Sequence, residues 1–190
     1  MTTAWRLGAV LVLAGCGSAN AGQSDPQACA PVESDTSAVE TAADIGGEYS
    51  VRLVATSGAQ RGATAQGRLD LMPRDSAYRR LTLPDGTRDT TFAFPLYGTA
   101  EVDFASVGAV APGDPKSADP LSPGVLVIER PSGVMLRVGS VANRWGMRRF
   151  DGAYTALQVQ QVTEEGFKGT WRSGVGTEQS GGHFCAVRAS

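Results

Sequence analysis

Apolar and polar residues alternate with a period of two from Gly46 onward, a pattern that predicts β-strands. The alternation is clear over residues 49–55 and 67–71, and its longest run covers residues 92–104. Because proline has no amide hydrogen to donate, Pro95 within that run marks a sheet edge, a bulge or a division into two strands.

Two hairpins and a final strand are predicted in the second half of the chain. In each hairpin, two alternating segments are joined by a turn that contains glycine. The Gly/Ser-rich residues 173–182 are predicted to connect strands. The predicted strands are 125–130 with 134–138, 154–162 with 167–172, and 183–188.

Three segments depart from the strand pattern. Residues 107–123 contain four prolines, and a loop of that length is usually functional or disordered. Residues 142–151 form a second loop, and residues 34–44 have the capping residues, alanine and glutamate of a short helix.

The chain is therefore predicted to be all-β, with about eight strands in an antiparallel up-and-down meander and at most one short helix. Alternation indicates a sheet with one face in water. Such a meander must close or pack two sheets, because open edges invite pairing with other chains. A barrel is the simplest solution, and a β-sandwich is the alternative.

The N-terminus has the features of a secretory leader. Arg6 precedes an apolar run over residues 7–13, as in a cleaved signal peptide. The run is too short to cross a hydrocarbon core, which requires about 20 apolar residues.

The end of this leader, Leu13-Ala14-Gly15-Cys16, resembles the lipobox of bacterial lipoproteins. The resemblance implies removal of residues 1–15 and acylation of Cys16, which anchors the chain in a membrane of the bacterial cell envelope. Gly17 follows in place of the aspartate that often retains such proteins in the inner membrane, so we expect the outer membrane, facing the periplasm. Plain secretion is the alternative.

Composition divides the mature chain into a tether over residues 16–44 and a body over residues 45–190. Residues 17–44 contain acidic residues and no basic residue, and residues 17–32 are too polar to order themselves. The body suits one domain and is nearly neutral, so it has no strong nucleic-acid footprint.

Cys29 and Cys185 remain once Cys16 is assigned to lipidation. An even pair in an oxidising compartment favours a disulfide, and two free thiols are the alternative. If Cys29 is bound, about 12 residues of tether remain free, with a reach of at most about 40 Å.

The body resembles the calycins, the lipocalin-type superfamily, in which a Gly-x-Trp opens the first strand and a basic residue on the last strand stacks on that Trp. Here Gly47-Glu48-Tyr49 opens the first strand and Arg188 ends the last. The resemblance implies a cation–π pair between Tyr49 and Arg188, and it implies a barrel that holds a small apolar ligand. The candidate ligand-lining residues, which form a plain filled core in the alternative interpretation, are Phe92, Phe94, Leu136, Phe167 and Trp171.

No constellation of catalytic or metal-ligating residues stands out in the sequence. His183 is the only histidine and, beside two glycines, indicates a solvated strand end. No Gly-x-Ser-x-Gly elbow and no phosphate-binding loop is present. We therefore predict neither an enzyme nor a cofactor.

The loop over residues 142–151 combines arginine with aromatic residues, a composition that suits an anionic headgroup, a glycan or a protein partner. Packing of its aromatic residues on the barrel rim is the alternative. Two hypotheses follow: a barrel that binds a small apolar ligand, and an envelope interaction protein that binds through loops 107–123 and 142–151. The candidate contact residues are Arg144, Trp145, Arg148, Arg149 and Phe150.

Overall fold

The fold is all-β, as predicted. The computed structural model describes residues 29–32, 39, 41–74, 81–82, 88–89, 94–111, 115–119, 124–139, 154–175 and 178–189. The strands are β1 (Gly47–Ser57), β2 (Thr64–Pro73), β3 (Leu81–Thr82), β4 (Arg88–Asp89), β5 (Leu96–Val102), β6 (Val125–Arg130), β7 (Gly133–Val138), β8 (Tyr154–Thr163), β9 (Gly166–Val175) and β10 (Glu178–Arg188).

Eight of these strands form a closed antiparallel barrel in the order β1-β10-β9-β8-β7-β6-β5-β2. Each barrel strand pairs with its neighbours in sequence, except that the small β3–β4 sheet intervenes between β2 and β5. The barrel closes between β1 and β10, with Tyr49 opposite Arg188. The predicted meander and barrel are confirmed, and the β-sandwich alternative is not found.

The barrel has two ends, which we name by their connections. The upper end contains the β1–β2, β5–β6, β7–β8 and β9–β10 connections, and the lower end contains the β6–β7 and β8–β9 turns and the start of β1. The segment before β1 and the last residue of β10 therefore meet at the lower end.

The junction between β5 and β6 has few hydrogen-bonded pairs. Its register joins Tyr97 to Leu126 and Gly98 to Val125. Beyond this point the Ala100 amide donates to the carbonyl of Pro115 at 2.9 Å. Part of the β5–β6 loop thus continues the sheet, which satisfies backbone groups that the short pairing leaves over.

One predicted boundary is wrong, and one predicted helix lies largely outside the described residues. Residues 173–182 are mostly strand, because β9 extends to Val175 and β10 begins at Glu178; their small side chains hide the period-two pattern. In the described part of 34–44 the only helical element is a 3-10 turn that begins at Ala43. Residues 33–38 and 40 lie outside the described residues.

The main hydrophobic cluster lies inside the barrel and extends to the segment before β1. Ala42 and Ile45 are fully buried members of the main hydrophobic cluster. The Val134 amide donates to the carbonyl of Val39 at 3.0 Å. The last residues of the predicted tether therefore pack on the barrel, and the folded unit begins before residue 45.

Candidate functional site

Tyr49 and Arg188 meet at the lower end of the barrel, as the calycin resemblance implies. The guanidinium carbon of Arg188 lies 5.2 Å from the centroid of the Tyr49 ring. Burial raises the pKa of the Tyr49 hydroxyl above its ordinary value, although the nearby guanidinium of Arg188 opposes this change. The neutral phenol donates to the Gly46 carbonyl at 3.2 Å.

Arg188 also fixes the segment that closes this end. Its Nη1 donates to the carbonyl of Gly46 at 3.0 Å and its Nη2 to that of Asp44 at 2.7 Å. Gly47 has a positive φ of 127°, and a side chain there would come within 3.1 Å of Arg188 Nη1. Glycine at 47 therefore lets the chain turn into β1 directly beside the arginine.

We call residues 41–46 the lower lid. From the opposite wall, the Glu129 carboxylate accepts hydrogen bonds from the Ala42 amide at 2.6 Å and the Thr41 hydroxyl at 3.3 Å. The apolar side chain of Ile45 is fully buried beneath the lid. The lower lid is therefore held across the lower end by Arg188 on one side and Glu129 on the other.

Three of the five candidate lining residues, Leu136, Phe167 and Trp171, belong to the main core cluster. The Phe167 ring stands edge-on to Tyr49, with centroids 4.9 Å apart, and it contacts Phe184 in the same way at 6.0 Å. These aromatic side chains are buried in the main hydrophobic cluster of the barrel.

Phe94 does not face the interior, which corrects its assignment as a lining residue. It belongs to a second cluster with Leu126 and Ile128, which alternate along β6 with the inward-facing valines and so lie on the outer face. The chain joins the β2 ladder only at Leu96, so the alternation that predicted an inward Phe94 ends at Pro95. Phe92 lies outside the described residues.

The indole N–H of Trp171 makes its hydrogen bond past a glycine on the neighbouring strand. It pairs with Gly182 on β10, and its Nε1 donates to the carbonyl of Val54 on β1 at 3.2 Å. A Cβ on Gly182 would clash with that same carbonyl. Glycine at 182 therefore lets β10 lie close to the Val54 carbonyl of β1. The indole of Trp171 on β9 can then reach that carbonyl across β10.

The upper end is closed by the start of the β5–β6 loop, which we call the upper plug (residues 104–111). It begins with a 3-10 turn, Phe104–Val107. Val107 is fully buried, and Ala109 is 6% exposed. The predicted surface loop 107–123 thus starts inside the barrel.

A ring of hydrogen bonds holds the plug to the wall. The Val110 amide donates to Ser173 Oγ at 2.6 Å, Ser173 Oγ lies 2.8 Å from Thr155 Oγ1, and the Thr155 hydroxyl donates to the Val110 carbonyl. Thr155 and Ser173 are the buried polar side chains among the described residues. Sequence reasoning missed them; their only signal is a polar residue at an inward position of a strand.

Cys29 and Cys185 form the predicted disulfide. Cys185 lies on the outer face of β10, between Arg52 on β1 and Lys168 on β9. The bond therefore attaches the N-terminal segment to the outer wall at the seam where the barrel closes.

His183 lies on the same outer wall and is partly buried. Burial lowers the pKa of its imidazole, a hydrogen bond to the Cys29 backbone opposes this change, and the charge of Arg52 lowers it further. No group of three potential metal ligands occurs in the described residues. His183 is thus a neighbour of the disulfide, and no assembled metal or catalytic site surrounds it there.

The candidate contacts Arg144, Trp145, Arg148, Arg149 and Phe150 lie outside the described residues, as does Cys16. The strands flanking the loop are described: β7 ends at Val138 and β8 begins at Tyr154. The loop consequently begins and ends at the upper end, as the β5–β6 loop does. Within the parts described, no helix is both long and apolar enough to cross a membrane.

Comparison with known proteins finds no family model that matches the chain, and no curated protein or solved structure with significant similarity to it.

Proposed function

We propose that this chain is a lipid-anchored protein of the bacterial cell envelope, acylated at Cys16, that binds a partner through loops at the upper end of its barrel. The outer membrane facing the periplasm is the proposed location. The Leu13-Ala14-Gly15-Cys16 motif is the support for the anchor.

The observation that best supports a binding role is that the two candidate loops, 107–123 and 142–151, connect strands at the same end of the barrel. The β5–β6 and β7–β8 connections leave the upper end side by side, since β6 and β7 are adjacent in the barrel. The arginine and aromatic residues of 144–150 are the types that contribute most to protein interfaces.

The occupied interior favours contact through loops over binding inside the barrel. A barrel of eight strands is just wide enough for side chains to fill it. Trp171, Tyr49 and Phe184 are large and almost fully buried within it. The lower lid and the upper plug also contribute buried side chains at the two ends.

Crosslinking in cells tests this proposal. We expect the wild-type chain to form specific crosslinked products that are lost on combined Trp145→Ala and Arg148→Ala substitution, because these residues are the proposed contacts. Arg61→Ala, on the β1–β2 turn at the same end, is the matched control and should retain the products. Identical products from all three chains would exclude the loop.

A small apolar ligand is the second candidate, and the upper plug is the observation that favours it. The plug joins the wall through the polar ring at Thr155 and Ser173, so its displacement would expose the aromatic interior. If the barrel binds such a ligand, a fluorescent fatty acid should bind saturably and be displaced by an unlabelled one. Its affinity should be higher for Ser173→Ala than for the wild type. Absence of saturable binding in both chains would remove it.

A further inference from the structure

We propose that the outer wall around the disulfide is a docking surface for an anionic lipid bilayer. The wall consists of the outward-facing residues of β9, β10 and the middle of β1. The proposal rests on the proposed anchor at Cys16 for the position of the bilayer, and its chemistry comes from the side chains of the wall itself.

Basic residues flank the disulfide on both sides. Arg52 and Lys168 each pair with Cys185 across neighbouring strands. Since adjacent strands lie about 4.8 Å apart, the two cations are separated by roughly 10 Å at their Cα atoms. Arg172 is exposed on the same face of β9, about 13 Å from Lys168 along the strand.

Few acidic residues lie between the two ends of this wall, although Glu48 and the Glu164-Glu165 turn lie at its lower end. In the sequences of β8, β9 and β10 the single acidic residue is Glu178, at the upper end of β10. Asp70 lies on β2, which pairs with β1 at the edge of the wall, and Glu101 on β5, one strand farther away, forms an ion pair with Lys116 at 3.9 Å. The middle of the wall, around the disulfide, therefore carries basic residues without acidic ones, although the total charge of the body is nearly neutral.

An exposed apolar side chain lies in the same column of β10. Val187 is 44% exposed, more than any other large hydrophobic side chain among the described residues. It stands two residues beyond Cys185, so both side chains project from the outer face. Basic residues beside exposed apolar ones are typical of surfaces that lie on an anionic bilayer.

The disulfide attaches the chain that leads to the proposed anchor at this wall. Cys29 is bound to Cys185 in the middle of the wall. About 12 residues separate Cys29 from Cys16, which limits the reach of the tether to about 40 Å. An anionic glycan would match the charge equally well. We choose the bilayer because the tether connects this wall to the proposed anchor at Cys16.

Sedimentation with lipid vesicles tests the proposal without the anchor. The proposed mature chain without its acylation site, residues 17–190, is purified with its disulfide formed and mixed with phosphatidylcholine vesicles that contain either no phosphatidylglycerol or about 30% of it. We expect binding only to the anionic vesicles, and we expect about 0.5 M salt to abolish it through screening.

The decisive comparison uses two neutralising variants of equal net charge. Lys168→Gln with Arg172→Gln should reduce vesicle binding by about tenfold, since each basic side chain near the surface adds to the attraction. Arg61→Gln with Lys116→Gln, which removes one exposed cation from the β1–β2 turn and one from the loop beside β5, should keep binding within about twofold, because those charges lie off the docking wall. Circular dichroism of both variants verifies that each is folded.

Absence of binding to anionic vesicles, or an equal loss in the two variants, would overturn the proposal. So would binding to a soluble anionic polysaccharide, used as a second probe, without binding to vesicles. Because the tested chain has no acyl group, these outcomes do not bear on acylation of Cys16, and failure of acylation would leave the vesicle result unchanged.

Discussion

At the residue scale, Arg188 connects the last strand to the chain that closes the lower end of the barrel. It stacks on Tyr49 and donates to the carbonyls of Asp44 and Gly46. A planar guanidinium can make these contacts together, whereas the ammonium of lysine is a point charge on a flexible stem. The position therefore requires arginine and not merely positive charge.

Arg188→Lys should lower the free energy of unfolding by about 1–2 kcal/mol, because one ammonium cannot bridge both carbonyls and cover the ring. Denaturant unfolding measures the change. Arg172→Lys, at an exposed site on β9, is the control and should be close to neutral. Equal stability of Arg188→Lys and wild type would show that the bridging contacts contribute nothing.

His183 is expected to make stability depend on pH. Its pKa is lowered in the folded state, chiefly by burial, so the folded protein prefers the neutral ring. This contribution is fully present above the ordinary histidine pKa of about 6.5. It is lost as the pH falls from there through the lowered folded value, because the unfolded chain binds the proton first.

NMR titration of the single imidazole should therefore give a pKa below 6.5. In His183→Gln the fall in stability over the same pH range should be smaller than in wild type. A measured pKa at or above the ordinary value, or identical pH profiles of the two chains, would contradict this account.

At the element scale, the two ends of the barrel are closed in the same way. Each closure contains a 3-10 turn that inserts a fully buried side chain, Ile45 below and Val107 above. Each is held by polar groups of the wall: Glu129 at the lower lid, and Thr155 with Ser173 at the upper plug. Apolar insertion supplies burial, and the polar groups fix the position of the backbone.

Glu129→Gln should loosen the lower lid. The carboxylate accepts a short hydrogen bond from the Ala42 amide, and replacement of a charged acceptor by a neutral one weakens such a bond by about 1 kcal/mol. Hydrogen exchange of the Ala42 amide should accelerate severalfold. Glu164→Gln, on the exposed β8–β9 turn, should leave that amide unchanged, and equal protection of Ala42 in both variants would argue against the role of Glu129.

Ser173→Ala should release the upper plug in part. The Val110 amide loses its acceptor, and an unsatisfied buried donor costs about 1–3 kcal/mol. Ser106→Ala, which removes only a local bond on the plug surface, is the matched control. Thermal unfolding should separate the two variants by several degrees, and coincident transitions would mean that the ring does not hold the plug.

At the scale of the whole molecule, the barrel could be predicted because a strand with one wet face has a period of two. The disulfide and the Tyr49–Arg188 contact could also be predicted, because two cysteines, or an aromatic ring and a cation, are residue types that pair. The closures were not, because they depend on contacts between distant parts of the chain. The bond from Ala42 to Glu129 spans 87 residues, and nothing local to either residue indicates it.

The Phe94 error has the same origin. Alternation along residues 92–104 is continuous in sequence, but the chain enters the barrel only after Pro95. Residues 173–182 show the opposite case, since their small side chains predict a connection but most of them form strand. Small residues are needed there because neighbouring strands approach closely, as at Gly182. Periodicity thus predicts the wall of the barrel better than its ends and its closest contacts.

The disulfide connects this fold to the proposed anchor. It joins residues separated by 156 positions and closes a loop for which chain entropy gives a stabilisation of about 4–5 kcal/mol. It also fixes where the tether leaves the barrel. In the proposed anchored state, this bond determines the wall of the barrel from which the tether leads to Cys16.

Acylation of Cys16 is the most direct test of this account. Cells producing the full chain are labelled with radioactive palmitate, and the purified protein is compared with Cys16→Ala and with Cys29→Ala as the matched cysteine control. The account predicts label on the wild type and on Cys29→Ala, and none on Cys16→Ala. An unlabelled wild-type chain, or label that persists in Cys16→Ala, would contradict it.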